Sequence, residues 1–350
     1  MFNTHEEYRE SWKKAYTEDP PVPLNLDLEL ASLCQLRCPF CYWGESEYRE
    51  EMKSLAWDGK PLKRFMETSL AKRLIDEAAK IGIPALKMNA RGESTLHPDY
   101  SEILIYARGK ERKWSPYKTE DGTPIYVEDQ FRAVGPAFHE ILVNTHGNVG
   151  PEIIPGLMAA TKVMISLDST IPATYAKMRV GGDIEKAFKT IKELKRLGHP
   201  NLWVRRVITE FNKEEPFVER CKQLFGEEIQ VSEHFCFDRN RNLNASIHGE
   251  DVNKFERVYC GYPSQRLLIT SSGQALPCCV DWRAEMVVGN VLDQSLATIW
   301  AGEPIRNLRA DLRSNRHKSE ICKNCTSYLS FKRPERDYVA DIEGRAKLDV

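Results

Sequence analysis

The stretch Cys34-Gln35-Leu36-Arg37-Cys38-Pro39-Phe40-Cys41 closes the first strongly apolar run of the chain. Its three cysteines, spaced four and three residues apart, can wrap one side of a four-iron, four-sulfur cluster, which ordinarily takes four thiolates. Three thiolates leave one iron with an open position, where a substrate or cosubstrate binds. A structural zinc site is the other reading, because short cysteine spacings also serve zinc. The run feeding the triplet, LNLDLEL over residues 24–30, alternates with strict period two. It predicts a strand, so the triplet sits on the loop that leaves that strand.

Working outward, strand and helix alternate. Leu70, Leu74, Ile75, Ala78 and Ala79 predict a helix from Thr68, ended by Gly82. A second strand follows over 84–90, then a helix around Ile103–Ala107 and a charged, Pro/Gly-containing insertion over 108–136. Further strands are expected at 139–144, 162–167, 202–209 and 228–236, with helices near 151–160, 183–197 and 214–225. Six such units imply a parallel sheet with right-handed crossovers, a partial (β/α)6 TIM-like barrel of the α/β class. Ligands on such sheets sit at the carboxyl ends of the strands, where the cysteine loop lies. Residues 42–66 read as a loop over that mouth. Residues 1–23, ending in Pro20-Pro21-Val22-Pro23, read as an N-terminal arm. A shift in composition near residue 240 divides a barrel over 24–240 from a small C-terminal cluster-binding domain over 241–330, leaving a tail over 331–350.

The chain has 350 residues and a formal net charge of −1, which argues against nucleic-acid binding through a basic surface. Met1 to Asp19 is charged, without the apolar core of a signal peptide, and no run reaches the length of a membrane span. A cytoplasmic protein with no membrane partner is the expectation. Seven of the ten cysteines fall in compact clusters, which in a cytosolic chain points to metal and not to disulfides.

With Phe40 directly before its third cysteine, the triplet resembles the signature of the radical SAM superfamily. The resemblance implies that S-adenosylmethionine chelates the open iron through its amino and carboxylate groups. It also implies that an electron from the cluster cleaves the sulfonium to a 5′-deoxyadenosyl radical, which abstracts hydrogen from substrate. That family often carries Gly-Gly-Glu-Pro after the second strand. Here only Gly92 and Glu93 match, with Arg91 and Ser94 in the outer places. Ser166-Leu167-Asp168 with the downstream Arg179 resembles the family's Ser-Leu-Asp strand. By that likeness Ser166 and Arg179 contact the carboxylate of S-adenosylmethionine, and Asp168 sits nearby, facing substrate. Asn144 and His146 end the third strand at the same mouth, where they contact nucleoside or substrate or cap a turn.

Cys260, Cys278, Cys322 and Cys325 form a second set, resembling the SPASM extension in its short "twitch" form with one auxiliary four-iron cluster. A zinc ribbon is the competing reading of these four. Cys278 is preferred over Cys279 by its distance from the turn at Gly273. Cys221, among Phe217, Val218, Leu224 and Phe225, reads as a buried small hydrophobe. Cys236, at the end of the sixth strand, is a candidate hydrogen donor to a substrate radical, or a packed strand cysteine. Arg306, Arg309, Arg313 and Arg316 read as a solvated stripe opposite Ile305, Leu308 and Leu312.

The resemblance implies two four-iron clusters, S-adenosylmethionine, and an electron donor such as flavodoxin or ferredoxin. Twitch-type relatives include dehydrogenases and epimerases of sugars and aminocyclitols, so a small polar substrate is expected. A peptide maturase acting on a ribosomal precursor is the alternative enzyme, and a non-catalytic zinc or electron-transfer protein the alternative class.

Overall fold

The structure, a computed structural model, describes residues 4–15, 17–49, 65–109, 117–118, 124–125, 137–235, 260–314 and 321–322. In chain order its strands are β1 (Asn25–Leu28), β2 (Ala85–Lys87), the short hairpin β3 (Tyr117–Lys118) and β4 (Pro124–Ile125), β5 (Glu140–Thr145), β6 (Lys162–Ser166), β7 (Leu202–Ile208), β8 (Gln230–Phe235), β9 (Arg266–Ile269), β10 (Gln274–Leu276) and β11 (Gly289–Asn290). The main sheet has nine strands in the order β11-β10-β9-β1-β2-β5-β6-β7-β8. From β1 to β8 all neighbours are parallel. Helices fill the connections, as the partial-barrel reading requires: Thr68–Ile81, Tyr100–Arg108, Ile154–Ala159, Pro172–Met178, Ile184–Arg196 and Phe217–Phe225.

The helices cover one face of the sheet. Leu26, Leu28, Leu30, Leu86, Ile141, Val143, Val163, Ile165, Leu202 and Val204 pack there against Leu74, Ile75, Leu104, Leu157, Ile191 and Phe217. Each such side chain contributes about 1.5–3 kcal/mol by leaving water. Cys221 is wholly buried in this layer, as expected of a small hydrophobe. Helix Thr68–Ile81 ends at Gly82 in the left-handed conformation (φ 83°), its N–H returning to Ala78 O.

The alternating polar residues point the other way, into the barrel. Asn25, Asp27 and Glu29 are not the wet face of a half-exposed strand; they are 4%, 0% and 0% exposed. Inside the barrel Asp27 pairs with Arg266 (3.2 Å) and Glu29 with Arg91. The interior of a partial barrel is therefore the second polar environment that a period-two pattern has to satisfy.

Three features depart from the sequence reading. The N-terminal arm contains a helix, His5–Lys14, capped by the Thr4 hydroxyl, whose Tyr8 and Trp12 pack against Leu24 and Ala85. From the C-terminal region β9 adds itself in parallel beside β1, and β10 and β11 continue the same sheet antiparallel through the turn at Gly273 (φ 90°). Arg309 is not solvated: it is 3% exposed, lies over the Trp300 ring and donates to the carbonyls of Pro263 and Trp300. The composition change near residue 240 and the insertion core lie outside the described residues.

Candidate active site

The cysteine triplet occupies the loop that follows β1. Cys38 is buried, and Cys34 and Cys41 are half-buried. The loop is held by its own backbone: Cys41 N donates to Cys38 O (3.0 Å) and Gly44 N to Cys41 O (2.7 Å). Trp43 Nε1 donates to Cys34 O at 2.5 Å, and Leu36 N–H points at Cys34 Sγ (3.4 Å). Burial raises the Cys38 thiol to about 11 against the pull of Arg179, and raises Cys34 further with help from Glu93. Unligated, these thiols keep their protons, and ligation must release them. Among the described residues no three His, Cys, Asp or Glu side chains are gathered as the ligands of a single ion would be. The donor set nonetheless suits a larger iron-sulfur group, with three thiols on one loop, an N–H aimed at one sulfur and a guanidinium beside another.

Gly92 and Glu93 lie against this loop. A Cβ on Gly92 would stand 2.4 Å from Ala31 O and 2.5 Å from Leu33 O, so only glycine allows the approach. Glu93 N donates to Leu33 O (2.8 Å), tying the end of the second unit to the residue before Cys34. The Glu93 carboxylate is 5% exposed and accepts from Thr95 Oγ1 (2.8 Å) and from His146 N (3.1 Å). His146 Nδ1 accepts from Asn148 N (2.9 Å), which puts the ring proton on Nε2, 3.2 Å from Glu93 Oε2.

Burial lowers His146 below its ordinary value, although Glu93 opposes the shift, so the folded ring is neutral. Below about pH 6.5 the unfolded chain binds a proton here that the folded chain refuses. The site's contribution to stability is thus complete above that pH and declines as the pH falls beneath it. In urea titrations of the metal-free chain, His146→Gln is expected to flatten this part of the profile. Parallel wild-type and variant curves from pH 7 to pH 5 would contradict the assignment.

Asp168 and Arg179 form the opposite wall. Asp168 has a left-handed backbone (φ 63°), uncommon outside glycine, and its side chain is wholly buried. Its Oδ1 accepts from Val207 N (2.7 Å), and its Oδ2 stands 2.5 Å from Arg179 Nε. Burial raises the Asp168 carboxyl while the guanidinium draws it down, and the same pair keeps Arg179 firmly charged. Arg179 lies over the Phe40 ring, with Nη1 3.5 Å from Cys38 Sγ. The structure therefore gathers Phe40, Cys38, Asp168 and Arg179, and commits Asp168 to the arginine where the sequence suggested substrate.

Between the walls the barrel interior is polar. Asn144 and Ser166 lie on strand positions that alternate with Val143 and Ile165 of the helix-side core, and so face inward. Arg205 pairs in register with Ser166 on one side and Ser232 on the other. The Ser232 hydroxyl and His234 Nε2 are 2.7 Å apart. Asn89 Oδ1 accepts from Asn144 N (3.1 Å), and Asn144 Oδ1 is a buried acceptor with no partner among the described residues. Sequence reasoning missed Asn89, Arg205, Ser232 and His234; their inward positions, just past β2 for Asn89 and on β7 and β8 for the others, were the available signal.

In the C-terminal set Cys260, Cys278, Cys279 and Cys322 are half-buried. Burial raises the Tyr262 hydroxyl against the pull of Arg266, and negative charge on Cys279, Cys278 or Cys260 adds to the rise. Cys278 Sγ accepts from Val280 N (3.3 Å), whereas Cys279 packs on the apolar group of Leu268, Leu276 and Ala284. Cys325 and Cys236 lie outside the described residues. Trp282, which sequence reasoning did not single out, stacks on Tyr42 with ring centroids 5.2 Å apart and an angle of 3°.

The profile described as "Radical SAM superfamily" matches residues 28–224, and that of the SPASM "Iron-sulfur cluster-binding domain" matches residues 260–326. The S-adenosyl-L-methionine-dependent 2-deoxy-scyllo-inosamine dehydrogenase of Niallia circulans is 35% identical over 81 residues, 23% of this chain, and the match spans 32% of that protein's length. The crystal structure of BtrN in complex with AdoMet and 2-DOIA superposes with a TM-score of 0.50 at 17% identity, covering 89% of this chain and 95% of that one. Streptococcus suis SuiB bound to precursor peptide SuiA gives a TM-score of 0.59 at 15% identity, covering 91% and 73%. Both superpositions are likenesses of fold. No helix among the described residues is long and apolar enough to cross a membrane.

Proposed function

The chain belongs to the radical SAM superfamily and carries a SPASM iron-sulfur region, and from that membership we propose that it abstracts hydrogen from a small polar substrate of the sugar or aminocyclitol type. The observation that carries this substrate class is the polar interior at the carboxyl ends of the strands, with Asn89, Asn144, Ser166, Arg205, Ser232 and His234 on its inward face. The partial sequence likeness to a dehydrogenase of an aminocyclitol supports it. When bound, the cluster and S-adenosylmethionine supply a 5′-deoxyadenosyl radical capable of taking hydrogen from an unactivated carbon.

The chain's own residues have the following parts in this reading. Cys34, Cys38 and Cys41 hold a four-iron cluster. Glu93, fixed by Thr95 and His146, accepts from the cosubstrate's amino group at the turn Gly92–Glu93. Arg179 and Ser166 face its carboxylate, a task suited to a guanidinium fork. Asp168 aims Arg179 and keeps it charged. Phe40 and Asn144 border the nucleoside, and Asn144 Oδ1 is an acceptor awaiting a donor. Cys260, Cys278, Cys322 and Cys325 hold the auxiliary cluster, with Cys278 preferred over Cys279 because its sulfur already accepts an N–H. A flavodoxin or ferredoxin supplies the electron.

Dehydrogenation and epimerisation are both open to this site. In the second the Cys236 thiol returns the hydrogen atom, and unchanged stereochemistry and turnover in Cys236→Ala would remove it from that role. A second reading, modification of a precursor peptide, is favoured by the fold likeness to a protein bound to a precursor peptide.

Iron and sulfide per chain, measured on anaerobically purified protein with a 5′-deoxyadenosine assay, test the proposal. About eight irons with deoxyadenosine formed are expected, the sum of two four-iron clusters. Zinc without iron, and no deoxyadenosine after reconstitution, would overturn it. Deuterium passing into deoxyadenosine from a labelled cyclitol, or instead from a labelled peptide, separates the two substrate classes.

A further inference from the structure

Arg91 stands where the resembled motif has glycine, and the proposed chemistry leaves it without a role. It is 5% exposed. Its guanidinium bonds both oxygens of the buried Glu29 carboxylate, Nε 2.5 Å from Oε2 and Nη2 2.7 Å from Oε1. The remaining arm, Nη1, donates to the carbonyl of Trp282 (3.1 Å). Glu29 Oε1 also accepts from the Ser271 backbone (3.1 Å) and hydroxyl (3.2 Å), just past β9. The pair thus joins the ends of the first two barrel units to two separate points of the C-terminal region.

Trp282 closes the contact on its other side. Its ring stacks on Tyr42, the residue after Cys41, and meets Tyr48 edge-on at 4.5 Å, while Tyr48 donates its hydroxyl to the same Trp282 carbonyl (3.3 Å). Four residues earlier in the chain is Cys278. Asp281, beside Trp282, accepts from Glu285 N (2.9 Å) and Met286 N (2.8 Å) and so stiffens this loop. At the barrel end, Gly92 follows Arg91 directly and has no free space against Ala31 and Leu33. A displacement of Trp282 therefore reaches Gly92–Glu93 through rigid neighbours and not through a flexible linker.

We propose that Arg91, with Glu29 and Trp282, is a positioning clasp that couples the state of the C-terminal cysteine set to the turn Gly92–Glu93. Loading of the C-terminal set then tightens binding of S-adenosylmethionine at the first site, and the coupling is reciprocal. This inference rests on the cofactor assignments proposed above.

The test is a double-mutant cycle read as the dissociation constant of S-adenosylmethionine, measured calorimetrically on reconstituted, oxidised protein without reductant. One arm removes the C-terminal site with Cys278→Ala. The other opens the clasp with Glu29→Gln and Arg91→Gln together, which leaves no buried charge unpaired, or separately with Trp282→Leu. Cys278→Ala alone is expected to weaken binding about tenfold, a usual size for coupling between sites. In either clasp-open background the same substitution is expected to add less than about twofold. Independent, multiplying losses would overturn the clasp while leaving the first site intact. A wild-type protein that takes up iron and binds no S-adenosylmethionine would overturn the cofactor assignment itself, and the clasp with it.

Discussion

Cys38→Ala is expected to reduce 5′-deoxyadenosine formation to background while the metal-free chain keeps its wild-type circular dichroism. The thiol is buried and small, so its loss costs the fold about 1 kcal/mol, the scale of one buried methylene. Its loss to the site is total, because a cluster held by two protein thiolates has neither its charge balance nor its fixed orientation. Arg179 Nη1 also loses the sulfur 3.5 Å away, although Asp168 still holds the guanidinium. Cys34→Ala and Cys41→Ala should behave alike. Cys221→Ala is the control: that thiol is buried as well, lies on helix Phe217–Phe225, and should cost similar stability with no change in cleavage. Retained cleavage in all three triplet variants would place the cluster elsewhere. Lost cleavage in Cys221→Ala would mean that the assay reports folding.

That control separates what a cysteine does from where it lies, a distinction the sequence carries only through spacing. The triplet at four and three residues was legible because loop-borne ligands are close along the chain. So were the parallel strands, since Ile141, Val143, Val163 and Ile165 declare a face covered by helices. The polar half of β1 was read correctly as alternating, and its environment was not legible. Asp27 and Glu29 are satisfied by Arg266 and Arg91, partners 239 and 62 residues away, and no local pattern announces such pairings. The helix His5–Lys14 is a different omission. Tyr8, Trp12 and Ala15 recur at helical spacing, and the surrounding charges hid the stripe.

Asp168 shows how a motif locates a residue without fixing its task. Its place at the end of β6 follows from the Ser-Leu-Asp pattern. What it touches is decided by the loop after β7, whose Asn212 Nδ2 donates to Asp168 O (2.8 Å), and by Arg179 at the end of the next helix. The outcome is a carboxylate that spends both oxygens on orientation. A group so held acts through the guanidinium it aims, and its removal should raise the KM for S-adenosylmethionine before it lowers the rate of any chemical step.

Gly92→Ala is the second large effect expected. The added Cβ would meet three backbone atoms, Ala31 O at 2.4 Å, Leu33 O at 2.5 Å and Leu33 N at 2.7 Å, none of which rotates aside as a side chain does. Either the turn bearing Glu93 retreats or the strand end leading into Cys34 shifts, and relief of either kind costs about 1–3 kcal/mol. Glu93 N is bonded to Leu33 O, so a retreat also breaks the tie that sets the acid's height over the cysteine loop. A misplacement of about 1 Å at a reacting centre costs on the order of a hundredfold in rate. Gly198→Ala provides the comparison. Gly198, unlike Gly92, has a left-handed backbone (φ 74°), and a Cβ there meets nothing within 4 Å, so the substitution costs about 1–2 kcal/mol of strain and leaves S-adenosylmethionine cleavage untouched. Equal stabilities with unequal cleavage rates in the two variants would assign the loss to geometry at Glu93. A wild-type rate in Gly92→Ala would mean that the close approach is slack, and that the amino group of the cosubstrate is held by something other than this turn.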